Sequence, residues 1–356
     1  MAIYTLNFLT IPLYSTILKN KRYALALICF NMWLIMVLRY PYLGVDTEGY
    51  SRLYDLWKTH SFGEMVLSTR FIFNQAVPMG KESGYVWLNW ICAHLGFGFQ
   101  GFLIIHATIC MVGLWRFLRD HAEKFGIPLA IMIAFGVWAD FFCILRQAIA
   151  TVIVFNSVRY ITERRLGKFL LCCCVAILFH KASIAFVLIY FLYKIKVSYK
   201  VVGVCSAVFA IWAIALPIFY SKIVRYIVMT GTYGYELNGF QLHNMLICML
   251  ILFYSSVILS HKMRSFEKPK HKVFFWCFCM AIVLEITAAY IPVFSRVAMT
   301  IYIPFAALLF GDEICEHRVG LNERILNLAF YTVLFVFFLY TCNGSSISPY
   351  IPFWEM

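Results

Sequence analysis

Long apolar runs recur from one end of the chain to the other, separated by short clusters of lysine and arginine, a pattern that predicts repeated membrane crossings. Residues 3–18 form a first short span or interfacial helix, and the cluster Lys19, Lys21, Arg22 turns the chain on the cytoplasmic side before 23–39 crosses outward. A polar stretch from Tyr40 to about Lys81 follows, giving an expected outer loop over 40–83. GYVWLNWICAHLG, 84–96, is expected as an aromatic-rich interfacial or re-entrant helix, and 99–115 as a full span. Residues 127–143 then run outward and 146–160 return, with Asp140, Arg146 and Gln147 at the outer rim.

The segment 169–193 does not fit a simple crossing. It lies between two basic clusters and has 25 residues, where two crossings need roughly 40. A single long span would put Lys194, Lys196 and Lys200 outside and turn the later basic clusters outward as well, against the positive-inside bias. The expectation is a broken pair of short helices meeting at His180-Lys181, tolerated only where it is packed in protein or lines a watery cavity. Beyond it, 201–220 exits, 221–240 forms an outer loop, 241–260 returns, 273–290 exits, 294–311 returns and 325–341 exits, leaving 342–356 as an outer tail. The fold class expected is all-α and polytopic, one integral domain over 1–356 with roughly 10–12 transmembrane helices plus short or re-entrant ones.

Composition agrees, since 63% hydrophobic residues, 13% charged residues and a mean hydropathy of +0.80 leave too little polar surface for a soluble globule. The net charge of +13 would suggest nucleic acid in a soluble protein. Here the loops assigned to the cytoplasm hold twenty of the thirty basic residues, so topology explains the charge and no nucleic-acid partner is expected. The thirteen cysteines lie mostly in apolar runs without a CxxC pair, and the histidines show no ligand spacing, so the cysteines are fillers and no metal is expected. Walker A, GxGxxG, GxSxG and HExxH patterns are absent, which argues against an ATP-driven pump or a soluble-type hydrolase.

Ten basic residues remain for the outer face: Arg39, Arg52, Lys58, Arg70, Lys81, Arg146, Lys181, Lys222, Arg225 and Arg296. Arg146 opens a span and Arg296 sits about one turn into another, where an ionisable side chain is costly unless it is partnered. Each has a structural alternative, Arg146 pairing with Asp140 across its own turn and Arg296 with Glu285 across the hairpin at Pro292. Arg39 is equally readable as a snorkelling end cap. His180, in FHKAS, is either a hydrogen-bonded core histidine or a group that accepts a hydroxyl proton or binds phosphate. Asp46, between Tyr42 and Tyr50, either handles a sugar hydroxyl or caps the helix starting near Thr47.

The segments LRYPYLGVDTEGY (Arg39, Gly44, Asp46, Tyr50), ESGYVWLNW (Glu82, Gly84, Tyr85) and RQAIATVIVFNSVRYI (Arg146, Gln147) stand in this order along the chain. FHKAS (His180, Ser183), SRVAMTIYIPF (Arg296) and SPYIPF (Pro349, Tyr350) follow. Together they resemble the EpsG-type family of bacterial polysaccharide polymerases, related in role to the Wzy O-antigen polymerases. The resemblance implies a fold like that of the lipid-dependent, GT-C-like glycosyltransferases. It implies joining of undecaprenyl-diphosphate-linked oligosaccharide repeat units, donor and acceptor, at the periplasmic face of the bacterial inner membrane, for O-antigen, capsule or exopolysaccharide. Membrane lipid is a partner on this view, and a chain-length regulator a further one to consider. No cofactor is implied. His180, Asp46 and Arg146 become the expected catalytic residues, with Arg296, Arg39, Arg70, Gln147, Glu82 and Tyr50 expected on diphosphate or sugar. Lys181 departs from the small or polar residue expected after the histidine, which puts the role of His180 in question. A lipid-linked oligosaccharide flippase, and a membrane O-acyltransferase modifying polysaccharide, are the competing function classes.

Overall fold

The computed structural model describes residues 1–69, 82–229, 268–316, 320–343 and 347–355. Among them every regular element is a helix, apart from an isolated β-bridge between Arg39 and Pro352. Four helices are long and apolar enough to cross a membrane: Phe99–His121, Tyr199–Tyr220, Pro269–Ala288 and Val293–Gly311. The bent pair Gly126–Ala134 and Val137–Cys143 makes a fifth if it counts as one span. The protein is thus an all-helical, polytopic membrane protein. By length and composition the described residues supply these four to five spans of the dozen or so anticipated. Further apolar helices, including Leu166–Phe179 and Leu328–Cys342, fall short of a full crossing. The expected span 241–260 lies outside the described residues, while the helix from Tyr199 runs on to Met229, so the described part of 221–240 is helical rather than loop.

The chain divides into two compact units, Met1–Val187 with Phe310–Met356, and Leu188–Leu309. The first opens with α1 (Ala2–Ile17) and α2 (Lys21–Val37), joined by a short turn in which Asn20 caps α2, its side-chain oxygen accepting from the Arg22 and Tyr23 amides. The expected loop 40–83 contains two helices, α3 (Thr47–Thr59) and α4 (Phe62–Thr69). Tyr50, Leu53, Tyr54 and Trp57 recur at helical spacing on α3, and all four are buried. They pack with Tyr85 and Val86 of α5 (Ser83–His94) and with Phe102 and Leu103 of α6 (Phe99–His121). Glu48 and Arg52 pair on the exposed face. The stretch averages as polar because this outer face masks a continuous apolar one.

A single span over 127–143 was expected, but the chain forms α7 (Gly126–Ala134) and α8 (Val137–Cys143), bent by 52°. The bend sits at Gly136, whose φ of 83° is readily adopted only without a side chain. Only Ile144 separates α8 from α9 (Leu145–Thr162). α6 and α9 touch so closely that a Cβ on Gly113 would lie 2.5 Å from the Val152 Cβ. α10 (Leu166–Phe179) stops at His180, whose φ of −155° and ψ of 115° are extended, and the chain resumes as a 3-10 turn, Lys181–Phe186, followed by α11 (Val187–Leu192). The break falls on the expected residue. Residues 347–353 fold back on the start of the first loop: the Tyr40 amide donates to Ile351 (2.7 Å), the Phe353 amide to Leu38 (2.9 Å) and the Tyr350 hydroxyl to Ile35 (3.1 Å).

In the second unit, α12 (Tyr199–Met229) is tied to α13 (Pro269–Ala288) by a hydrogen bond from the Trp212 indole to the Thr287 hydroxyl at 3.0 Å. The short α14 (Val293–Val297) and one π-helical turn, Ala298–Tyr302, lead into α15 (Ile303–Glu316).

Two outcomes follow from these contacts. Gly113→Val forces α6 from α9 and should cost about 1–3 kcal/mol, read as a lower unfolding temperature in detergent. At the start of α4, the Ser61 amide and hydroxyl donate to the Glu64 carboxylate at 2.7 and 2.8 Å, holding its pKa below the usual range. Its contribution is present above the unfolded value of about 4.3 and is lost as pH falls through the lower folded value. Amide exchange at the start of α4 should therefore accelerate on acidification, and Glu64→Gln should remove that dependence.

Candidate functional site

Glu82 stands at the N-cap of α5 with an extended backbone, its carbonyl accepting from the Tyr85 and Val86 amides at 3.1 and 3.2 Å. Its side chain is 5% exposed, and a carboxylate so buried requires partners. One oxygen forms an ion pair with a terminal guanidinium nitrogen of Arg146, in the first turn of α9. The other accepts from the Lys181 amide at 3.3 Å and lies 3.7 Å from Nδ1 of His180. Arg146 Nε donates to the Tyr50 hydroxyl at 3.4 Å, and the Tyr50 ring meets that of Tyr85 edge-on at 5.4 Å. α3, α5, α9 and the break after α10 therefore meet around one carboxylate.

Two local features of the sequence allow this meeting. A Cβ on Gly84 would lie 2.9 Å from both the Cβ and the carbonyl oxygen of Leu178, so glycine lets the start of α5 rest on the end of α10. The extended backbone at His180 takes the Lys181 amide out of the helical ladder, and Glu82 is the acceptor that it finds. Both ring nitrogens of His180, the Tyr85 hydroxyl and the Ser183 hydroxyl are buried without a hydrogen-bond partner. Buried polar atoms rarely stay unsatisfied, so these groups call for ordered water or another polar partner.

The anticipated site residues separate accordingly. Tyr50, Glu82, Arg146 and His180 come together, and Gln147, buried, follows Arg146 in the same turn. Arg146 pairs with Glu82 instead of the alternative partner Asp140. Asp46 is half-buried at the N-cap of α3, one turn before Tyr50, but makes no side-chain capping bond. Arg39 is 1% exposed and is neither an end cap nor part of this cluster. Its guanidinium donates to the carbonyls of Phe142 (2.8 Å) and Leu43 (3.3 Å) and lies 4.9 Å from the Phe142 ring centroid, binding the first loop to the end of α8. Arg70 lies outside the described residues. Arg296, in the second unit, is exposed on α14, while the buried Glu285 nearby accepts from the hydroxyl of Ser295 at 3.0 Å. Tyr85, Ser183 and the Lys181 amide were not assigned roles from sequence. Tyr85 could have been found from its position three residues after Glu82, which returns it to the same helical face. Among the described residues no group of three or more His, Cys, Asp or Glu side chains could hold a metal ion.

A family model described as the EpsG family matches residues 22–353. The chain belongs to the EpsG family. No curated protein and no solved structure matches it. Membership associates the chain with polysaccharide biosynthesis, and every segment of this EpsG-family cluster falls within the matched residues. Chemically, the cluster offers a guanidinium with planar donor geometry for oxyanions and an imidazole able to exchange a proton.

Removing either member of the pair leaves the other charge buried. Glu82→Ala and Arg146→Ala should each destabilise the protein, by about 3–5 kcal/mol if the remaining charge stays dry. The double variant should lose less than the two changes added together, with a coupling of about 0.5–3 kcal/mol. A double-mutant cycle of thermal unfolding in detergent measures both.

Proposed function

We propose that this EpsG-family protein polymerises oligosaccharide repeat units carried on undecaprenyl diphosphate, at the outer face of the bacterial inner membrane, by inverting glycosyl transfer. The observation that carries this reading is the convergence of Arg146, Glu82 and His180, with neither imidazole nitrogen hydrogen-bonded, in a family associated with polysaccharide biosynthesis. A hydroxyl oxygen of the acceptor sugar attacks the anomeric carbon of the donor. The bond from that carbon to the diphosphate oxygen breaks, its electron pair leaves with the lipid diphosphate, and the hydroxyl proton passes to His180.

Arg146 stabilises the charge that grows on the departing diphosphate, a task to which a planar, always-charged fork is suited. Glu82 aims that fork and stands beside the imidazole. Tyr50 holds Arg146 in place through its hydroxyl, and Asp46, one turn from Tyr50, orients the acceptor. Gln147, next to Arg146 at the start of α9, is assigned a supporting contact to the diphosphate.

The test supplies lipid-linked repeat units to the purified protein in detergent and follows chain length. Elongation is the expected result. Its absence, with transport of the same substrate in proteoliposomes, would favour a flippase instead. Arg146→Lys keeps the charge but loses the fork and should slow elongation about 10²–10³-fold. His180→Ala should slow it about 10²–10⁴-fold, and near-normal elongation by that variant would reduce the histidine to a structural role.

A further inference from the structure

Away from this cluster, α2 and α6 run side by side and leave a groove of about 370 Å³ between them, within the range of roughly 300–1,000 Å³ typical of ligand pockets. Its lining is almost wholly apolar and includes Cys29, Phe30, Met111 and Val112. Phe30 and Val112 are 52% and 51% exposed, so the groove opens outward from the helix pair. Trp33 and Thr108 also line it, joined by a hydrogen bond from the indole to the hydroxyl at 3.0 Å, and Ala26 and Trp115 mark its other end.

That other end is basic. Arg22 lies one helical turn beyond Ala26 on α2, and Arg119 one turn beyond Trp115 on α6, so each continues the face that lines the groove. The Arg119 guanidinium lies 4.5 Å from the Trp115 ring centroid and pairs with Asp120 at 2.6 Å. Arg22 is exposed, as is its neighbour Lys21. Between the apolar lining and these cations, the indole N–H of Trp115 has no hydrogen-bond acceptor. Apolar wall, lone N–H donor and cations therefore follow one another along the groove. A glycerophospholipid presents the matching order: acyl chain, ester carbonyl, phosphate.

We propose that this groove is a binding site for an anionic glycerophospholipid, with an acyl chain along Phe30 and Val112, an ester carbonyl accepting from Trp115, and the phosphate held by Arg22 and Arg119. The charge at the basic end selects the lipid class, because a zwitterionic headgroup carries its own cation into the same place. The site is independent of the Arg146 cluster and of the reaction assigned to it.

The test places the full chain in bilayer nanodiscs containing phosphatidylglycerol or phosphatidylcholine with brominated acyl chains, which quench nearby tryptophans. Trp33→Phe/Trp115→Phe identifies the share of quenching that comes from the groove. For that share, brominated phosphatidylglycerol is expected to quench about twofold more than brominated phosphatidylcholine, and Arg22→Gln/Arg119→Gln should remove the difference. Equal quenching by the two lipids would overturn the proposal, leaving unselective contact with bulk bilayer. Survival of the preference in the Arg22→Gln/Arg119→Gln variant would overturn it too. Displacement of the brominated lipid by stoichiometric undecaprenyl phosphate would assign the groove to an isoprenoid tail instead.

Discussion

A carboxylate placed among apolar helices must find positive charge and hydrogen-bond donors, and the way Glu82 meets that demand fixes much of the first unit. Arg146 answers with a guanidinium from the start of α9, and the broken end of α10 supplies the Lys181 amide. Neither donor is interchangeable with a surface group, because the side chains lie mostly out of solvent and the penalty for an unpaired charge is severe there. The start of α5, the start of α9 and the end of α10 are consequently held in one mutual arrangement. Gly84 makes it sterically feasible by allowing backbone to approach within side-chain distance of Leu178.

The same arrangement leaves reactive capacity unused by the fold. Glu82 satisfies Arg146 on one side and approaches His180 on the other, yet the imidazole forms no hydrogen bond. Any anion reaching Arg146 would compete with an internal carboxylate already in place. In low-dielectric surroundings these few charges act on one another more strongly than they would in water.

Much of this was legible in the sequence where a length or a period constrained the answer. Residues 169–193 are too short for two spans and too basic at both ends for one, and that conflict alone points to the break at His180. The start of α3 and the position of Arg146 at a helix start were readable in the same way. Pairing was not. Arg146 and Glu82 are 64 residues apart, and no helical period connects them, so the nearer Asp140 looked like the natural partner. Arg39 looked like an end cap because its sequence position is a span boundary, whereas its burial depends on the Phe142 carbonyl from a distant helix. The bend at Gly136 stayed hidden because GVWAD continues an apolar run, and a glycine there is compatible with either a straight or a broken helix.

The strap formed by residues 347–353 bears on how the protein is made. Its amides and carbonyls complete the backbone pairing of Leu38 and Tyr40, on either side of the residue whose guanidinium ties the first loop to α8. The unit it belongs to is interrupted in sequence by the whole of the second unit. Helices inserted early in synthesis therefore wait, with the backbone at 38–40 incompletely paired, until the segment that finishes them has been translated. Membrane insertion and final packing of this unit are separate events in time, with more than three hundred residues of synthesis between the first loop and its closing strand.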